Sequence, residues 1–168
     1  MKTETIEKIL NFLKEKEGKQ LPKKWFDSIE KLKLIYELEN HPDGIQYRYE
    51  GDLNLNNTMI SKLPNDLYVG LWLDLLNCKH LTKLPDKLHV GRSLYLEGCK
   101  QLTKLPDNLY VGYHLFLNAV GITEIPNNLY VEGDFVISGT PLAKKYTDEE
   151  ITEMIASKGG TLIGKIYR

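Results

Sequence analysis

The chain has 168 residues, 42% of them hydrophobic, enough for one domain with a real core or one elongated domain with end pieces. Its 22 basic and 23 acidic side chains nearly cancel, so no field of one sign draws in nucleic acid or an anionic membrane. No segment approaches a membrane span and the first residues lack the unbroken apolar run of a signal peptide; with two cysteines, read as free thiols, this sets the expectation of a cytoplasmic protein with no nucleic-acid or membrane partner.

Taken in chain order, residues 3–17 place Ile6, Ile9, Leu10 and Leu13 at helical spacing. A second helical pattern runs from about Pro22 to Glu39 through Trp25, Phe26, Ile29, Leu32, Ile35 and Leu38, and "NHPDG" breaks it. These predict a helical N-terminal cap over residues 1–42.

From about residue 43 the text becomes periodic. Leu-Pro recurs at Pro64, Pro85 and Pro106 and Ile-Pro at Pro126, with steps of 21, 21 and 20. Each proline precedes the same frame: Leu67 and Val69, Leu88 and Val90, Leu109 and Val111, Leu129 and Val131. A glycine follows at Gly70, Gly91, Gly112 and, one place late, Gly133. Apolar pairs two apart come next: Leu73 and Leu75, Leu94 and Leu96, Leu115 and Leu117, Phe135 and Ile137. With the earlier copy at Leu53 and Leu55, this predicts five coils over residues 43–142. Beyond them, "TDEEITEMIASKGG" reads as a helix with a Thr147–Glu150 capping box and a stop at Gly159. The tail "TLIGKIYR" reads as a short strand, giving a helix-strand C-terminal cap over residues 143–168.

The repeat has a physical logic. In "SLYLEG" alternation sends Leu94 and Leu96 to one side and Ser93, Tyr95 and Glu97 to the other. Three residues after the second leucine stands Thr58, Cys78, Cys99, Val120 or Thr140, a small side chain suited to an inward turn. The Leu-x-x-Leu-Pro that follows cannot be a long helix, because proline lacks an amide donor and biases its predecessor to extended geometry. The back of each coil is therefore expected to be extended or a tight turn, with the glycine permitting a sharp bend.

The frame Leu94-x-Leu96-x-x-Cys99-x-x-Leu102-x-x-Leu105-Pro106 resembles the leucine-rich repeat. Its Leu-x-x-Leu-Pro coil is similar to the short repeats of bacterial type III effectors, and the added Leu-x-Val-Gly resembles a variety found in bacterial and phage proteins. The chain departs from that pattern at Gly70, Gly91 and Gly112, which replace leucine, and has no asparagine at the family's asparagine position. The resemblance implies an α/β fold: a short horseshoe solenoid with a parallel sheet on one face. The effector ligases carry a separate catalytic domain after their repeats, for which this chain leaves no room.

No pattern of catalytic, cofactor-binding or metal-ligating residues emerges. Cys78 and Cys99 fall one repeat step apart, but Thr58 and Val120 above and below supply no further ligands, so buried thiols are expected. Gly159, Gly164 and Lys165 mimic the start of a phosphate loop, yet Ile166 stands where Ser or Thr is required. His41, His80, His89 and His114 pair with no nucleophile at a catalytic spacing.

The informative residues are those the repeat leaves free. The middle column of the sheet face reads Asn54, Asp74, Tyr95, Phe116, Val136. Its flanks read Asp52, Trp72, Ser93, His114, Asp134 and Asn56, Leu76, Glu97, Asn118, Ser138. Apolar and aromatic groups ringed by polar and acidic ones are the mark of a protein-binding patch, although aromatics also suit strands and pair across them. Trp72, Asp74, Leu76, Tyr95, Glu97, His114, Phe116 and Val136 are the expected contact residues. A second column, Tyr68, His89, Tyr110 and Tyr130, needs only stacking between coils. The sequence thus predicts a non-enzymatic, cofactor-free protein-protein interaction module, monomeric alone. A phage-encoded inhibitor of a bacterial defence or host enzyme, and a structural or assembly subunit, are the alternatives.

Overall fold

Successive 20- or 21-residue segments of the chain stack as parallel coils, each contributing one short strand to each of two sheets. A computed structural model describes Lys8, Asn11, Phe12, Glu15 and residues 23–168, of which 23–27 by backbone alone. The stripe Ile6, Ile9, Leu10 and Leu13, and the side chains of Trp25 and Phe26, lie outside the described residues. The first sheet runs β1 (Tyr47–Tyr49), β3 (Leu67–Val69), β5 (His89–Val90), β7 (Tyr110–Val111), β9 (Tyr130–Val131), β11 (Thr161–Leu162). The second runs β2 (Leu53–Asn54), β4 (Leu73–Asp74), β6 (Leu94–Tyr95), β8 (Leu115–Phe116), β10 (Phe135–Val136), β12 (Ile166–Tyr167). The fold is therefore an α/β solenoid. The extended backs inferred from the prolines do more than run alongside one another; they hydrogen-bond into a ladder of their own.

The two ladders meet at the core. Leu67, Val69, Leu73 and Leu75 of one coil are fully buried, as are their counterparts in the coils above, so each apolar column packs like on like. Tight turns close each coil: the Cys78 amide donates to Leu75 O at 3.0 Å and the Leu81 amide to Cys78 O at 3.1 Å. Cys99 and Leu102 repeat this pair, each at 3.0 Å.

Two corners of every coil hold a left-handed residue. One column is Asn57, Asn77, Gly98, Ala119, Gly139, and the other is Asp66, Lys87, Asn108, Asn128, Gly159. Asn, Asp and Gly tolerate that conformation, which explains most of the choices. Two pairs gain a further bond between coils: Asn77 Nδ2 donates to Asn57 Oδ1 at 3.2 Å and Asn128 Nδ2 to Asn108 Oδ1 at 2.9 Å. Ala119, at φ 56°, has neither benefit.

The chain bends at the repeat glycines, as the sequence implied, but a left-handed torsion is not what requires glycine there. Gly70, Gly91 and Gly112 are absent from the positive-φ residues. A Cβ on Gly91 would sit 2.1 Å from the carbonyl oxygen of Gly70, and one on Gly112 2.4 Å from that of Gly91. Close backbone approach between coils excludes a side chain there.

Atypical pieces close both ends. Helix α1 (Lys23–Glu39) adds Ile35 and Leu38 to the core. It is tied to the first coil by Lys31 Nζ donating to Asn56 O at 2.9 Å, and by Glu39 Oε1 accepting from the Ser61 amide at 2.8 Å. At the other end α2 (Pro141–Lys145) starts on the Thr140 cap, and α3 (Asp148–Ser157) starts on the expected capping box of Thr147 and Glu150. Ile151 and Ile155 of α3 join the core. The tail, expected as one strand, forms two: Thr161 aligns with Tyr130 and Tyr167 with Val136, so it adds a last rung to both sheets.

Two substitutions separate these backbone effects. Gly91→Ala is expected to destabilise the fold by about 1–3 kcal/mol, the usual cost of forcing atoms into a packed site. Ala119→Gly, at an exposed corner, is expected to stabilise by up to about 1 kcal/mol, relief of left-handed strain outweighing the added chain entropy. Urea denaturation of each variant against the parent protein checks both signs.

Candidate functional site

Parallel register brings all eight expected contact residues to the outward face of the second sheet. Asn54 aligns with Asp74, Asp74 with Tyr95, Tyr95 with Phe116 and Phe116 with Val136. Tyr167 continues this column beyond Val136. Trp72 is 45% exposed and Tyr167 49%, while Asp74, Leu76, Tyr95, Glu97, His114, Phe116 and Val136 are partly exposed. Ser93 is buried, a short side chain between Trp72 and His114 in the flanking column. Two contributors escaped the sequence reading. Tyr113, 52% exposed, lies one residue before that column with its ring 3.8 Å from the ring of His114. Tyr167 stands in the same alternation as the other middle-column residues, but in a tail without the repeat frame.

The face is ordered by ring contacts. Tyr95 and Phe116 stack at 4.8 Å and 5°, the spacing of adjacent strands, and the His114 ring meets Phe116 edge-on at 5.7 Å. His114 Nδ1 accepts from the Asp134 amide at 2.8 Å, so in this arrangement its proton resides on Nε2. Asp134 Oδ1 accepts in turn from the Lys165 amide at 3.0 Å, tying the tail to the face.

The carboxylates of the face are held by neutral donors. Asp74 accepts from Asn56 Nδ2 at 2.9 Å and from the Leu76 amide at 3.0 Å. Asp52 Oδ1 accepts from the Trp72 amide at 3.2 Å, and Glu97 Oε1 from Asn118 Nδ2 at 3.3 Å. Among the described residues Glu97 Oε2 and Asn118 Oδ1 are buried and find no hydrogen-bond partner. Two hollows flank the Tyr95–Phe116 stack. One, of about 400 Å³, is bounded by Asp52, Asn54, Trp72, Asp74, Leu76 and Tyr95. The other, of about 300 Å³, is bounded by His114, Phe116, Asp134, Val136 and Tyr167.

Elsewhere the candidate groups are engaged in structure. Cys78 Sγ donates to Leu55 O at 3.1 Å and Cys99 Sγ to Leu75 O at 3.0 Å; burial raises both thiols, Cys99 to about 11. Such thiols are poor nucleophiles. Gly159 follows α3 and Thr161–Leu162 pairs with β9, so the phosphate-loop mimic is a strand. Among the described residues no group of three or more His, Cys, Asp or Glu side chains gathers as metal ligands would, and no helix is long and apolar enough to cross a membrane. On the exposed surface Lys62 pairs with Asp43 at 3.8 Å and Lys104 with Glu124 at 2.9 Å. These exposed pairs contribute little to stability.

The Tyr68 column forms a continuous stack. Tyr68 and His89 lie 4.7 Å apart, His89 and Tyr110 4.3 Å, Tyr110 and Tyr130 4.8 Å, with planes within 12°. The Arg48 guanidinium caps it, 3.8 Å above the Tyr68 ring. Burial, with a lesser contribution from the Arg48 charge, holds His89 below its ordinary value.

By fold this is a solenoid of stacked coils, the architecture of a repeat protein. No family model matches the chain, and no curated protein or solved structure is significantly similar to it.

The His89 stack has a pH signature. The unfolded chain protonates this histidine near about pH 6.5, the folded chain only lower. Its contribution is thus full above the unfolded value and lost as pH falls through the folded one. Thermal midpoints measured from pH 7.5 to 5 are expected to fall more steeply for the parent protein than for His89→Phe, which keeps a ring in the stack.

Proposed function

We propose that the chain is a leucine-rich repeat protein of the short bacterial or phage type, and that it acts in the cytoplasm as a non-enzymatic module binding a protein partner through the outward face of the second sheet. The observation that carries this reading is the strip Trp72, Tyr95, Phe116, Val136 and Tyr167. It is an apolar and aromatic strip that runs from Trp72 in the flanking column into the middle column, left open to water at both ends and accompanied by Asp52, Asp74, Glu97 and Asp134. Stable folding does not require rings as exposed as Trp72 and Tyr167, whereas desolvated aromatic anchors supply much of the energy of protein interfaces. Whether the partner is a bacterial defence or host enzyme, as for a phage inhibitor, is a narrower form of the same reading.

Self-assembly is the second reading, favoured by the outermost strands β11 and β12, where Ile163 is 62% exposed and Tyr167 49%. Light scattering across a concentration series separates the two: a monomer supports the binding module and a concentration-dependent oligomer supports assembly.

The binding reading predicts a split between stability and capture. Trp72→Ser with Tyr167→Ser is expected to leave the thermal midpoint nearly unchanged yet abolish capture of the partner retained by the parent protein from an extract of the native host. Tyr95→Ala with Phe116→Ala is expected to abolish capture too, but also to cost at least about 0.5–1.5 kcal/mol of stability, the value of a ring pair. Capture that survives both pairs of substitutions and is lost on Lys87→Glu, at a corner away from this face, overturns the assignment.

A further inference from the structure

The two hollows differ in chemistry. The one around His114 and Val136 holds a single carboxylate, Asp134, beside a histidine ring and a backbone amide. The one around Trp72 holds two carboxylates, Asp52 and Asp74, together with the Trp72 and Tyr95 rings, and no lysine, arginine or histidine among the described residues lines it. Among the described residues neither Asp52 nor Asp74 has a salt-bridge partner. Their bonds among the described residues come from neutral N–H groups, one to each oxygen of Asp74 and one to Asp52 Oδ1, with none to Asp52 Oδ2. A carboxylate oxygen accepts two hydrogen bonds, so acceptor capacity and negative charge both remain unspent. The Trp72 ring, nearly half exposed, makes no ring contact among the described residues and lines the same hollow.

We propose that this hollow is the subsite for an arginine side chain presented by the protein partner. The inference rests on the reading of the second sheet's face as the contact surface and names the chemistry that surface selects. Two carboxylates without a salt-bridge partner among the described residues repel phosphate and complement a cation. Aromatic rings beside them favour a flat, delocalised guanidinium over a compact, strongly hydrated ammonium. Guanidinium also carries five donors in a planar fork, matching carboxylate oxygens that still have lone pairs free. The chain as a whole is nearly neutral, so the attraction is local to this hollow and does not extend to polycations in general.

The test uses the full chain and three small probes: acetyl-arginine amide, acetyl-lysine amide and acetyl-citrulline amide, the last a neutral analogue of arginine of the same shape. Backbone amide resonances of Trp72, Asp74 and Tyr95 are expected to shift saturably with the arginine probe, more weakly with lysine and not with citrulline, the effect fading as salt is raised. Asp52→Asn with Asp74→Asn, near-isosteric changes, are expected to weaken arginine binding at least tenfold at an unchanged thermal midpoint. Equal response to citrulline, no saturable shift, or full binding by the double variant overturns the proposal. Partner capture separates this failure from failure of the wider reading. If the double variant captures the partner as well as the parent protein while Tyr95→Ala with Phe116→Ala does not, the arginine subsite falls and the binding face stands. If no variant of the face alters capture, the face itself falls.

Discussion

Parallel hydrogen bonding between successive coils sets each residue beside its counterpart one repeat earlier. The Gly91 amide reaches Val69 O at 2.8 Å and the Leu73 amide reaches Ser93 O at 3.1 Å, so both ladders run across every coil. At strand spacing of about 4.8 Å, whatever occupies a column must tolerate itself as a neighbour. Leucine does, by filling a shared core. Stacked rings do, as in Tyr68, His89, Tyr110 and Tyr130. Asparagine does, because its amide is both donor and acceptor, as Asn57 and Asn77 demonstrate. Glycine at 70, 91 and 112 marks the column where the backbones themselves come too close for anything else.

The same constraint decides what was legible in the sequence. Columns defined by one side-chain type were plain: the leucines, the valines before glycine, the prolines and the aromatic stack. The left-handed corners were not, because Asn, Asp, Lys, Ala and Gly share a backbone conformation rather than a side-chain chemistry. The glycine column was seen, but a string of letters does not distinguish a residue needed for its own torsion from one needed for a neighbour's carbonyl. The second rung of the tail was hidden for a related reason. Thr161–Leu162 and Ile166–Tyr167 pair through backbone groups, and after a 31-residue step from Tyr130 to Thr161 no periodicity flags them.

The face followed from alternation alone, and its eight expected residues do share one surface. Alternation could not say how deeply each is set. Ser93 sinks between larger neighbours, while Tyr113, from the bend just before the column, rises beside His114. Nor could it supply the bonds that hold Asp74 and Glu97 in place, from Asn56 in the flank next to Asp74 and from Asn118 in the same flank as Glu97.

A ladder that fixes the inside so tightly leaves the outside free to vary. Cys78 and Cys99 begin nearly identical lines of sequence because their coils must superimpose, and their thiols are spent on the carbonyls of Leu55 and Leu75. In the same two coils Trp72 faces Ser93 and Asp74 faces Tyr95 across the outward columns. These differences are not required by packing, since the leucines beside them are unchanged and fully buried. They give the face a polarity along the stack, carboxylates and an exposed indole towards β2, stacked rings and a valine towards β12. A partner reading that gradient would meet one orientation only, which a face of identical rungs could not impose.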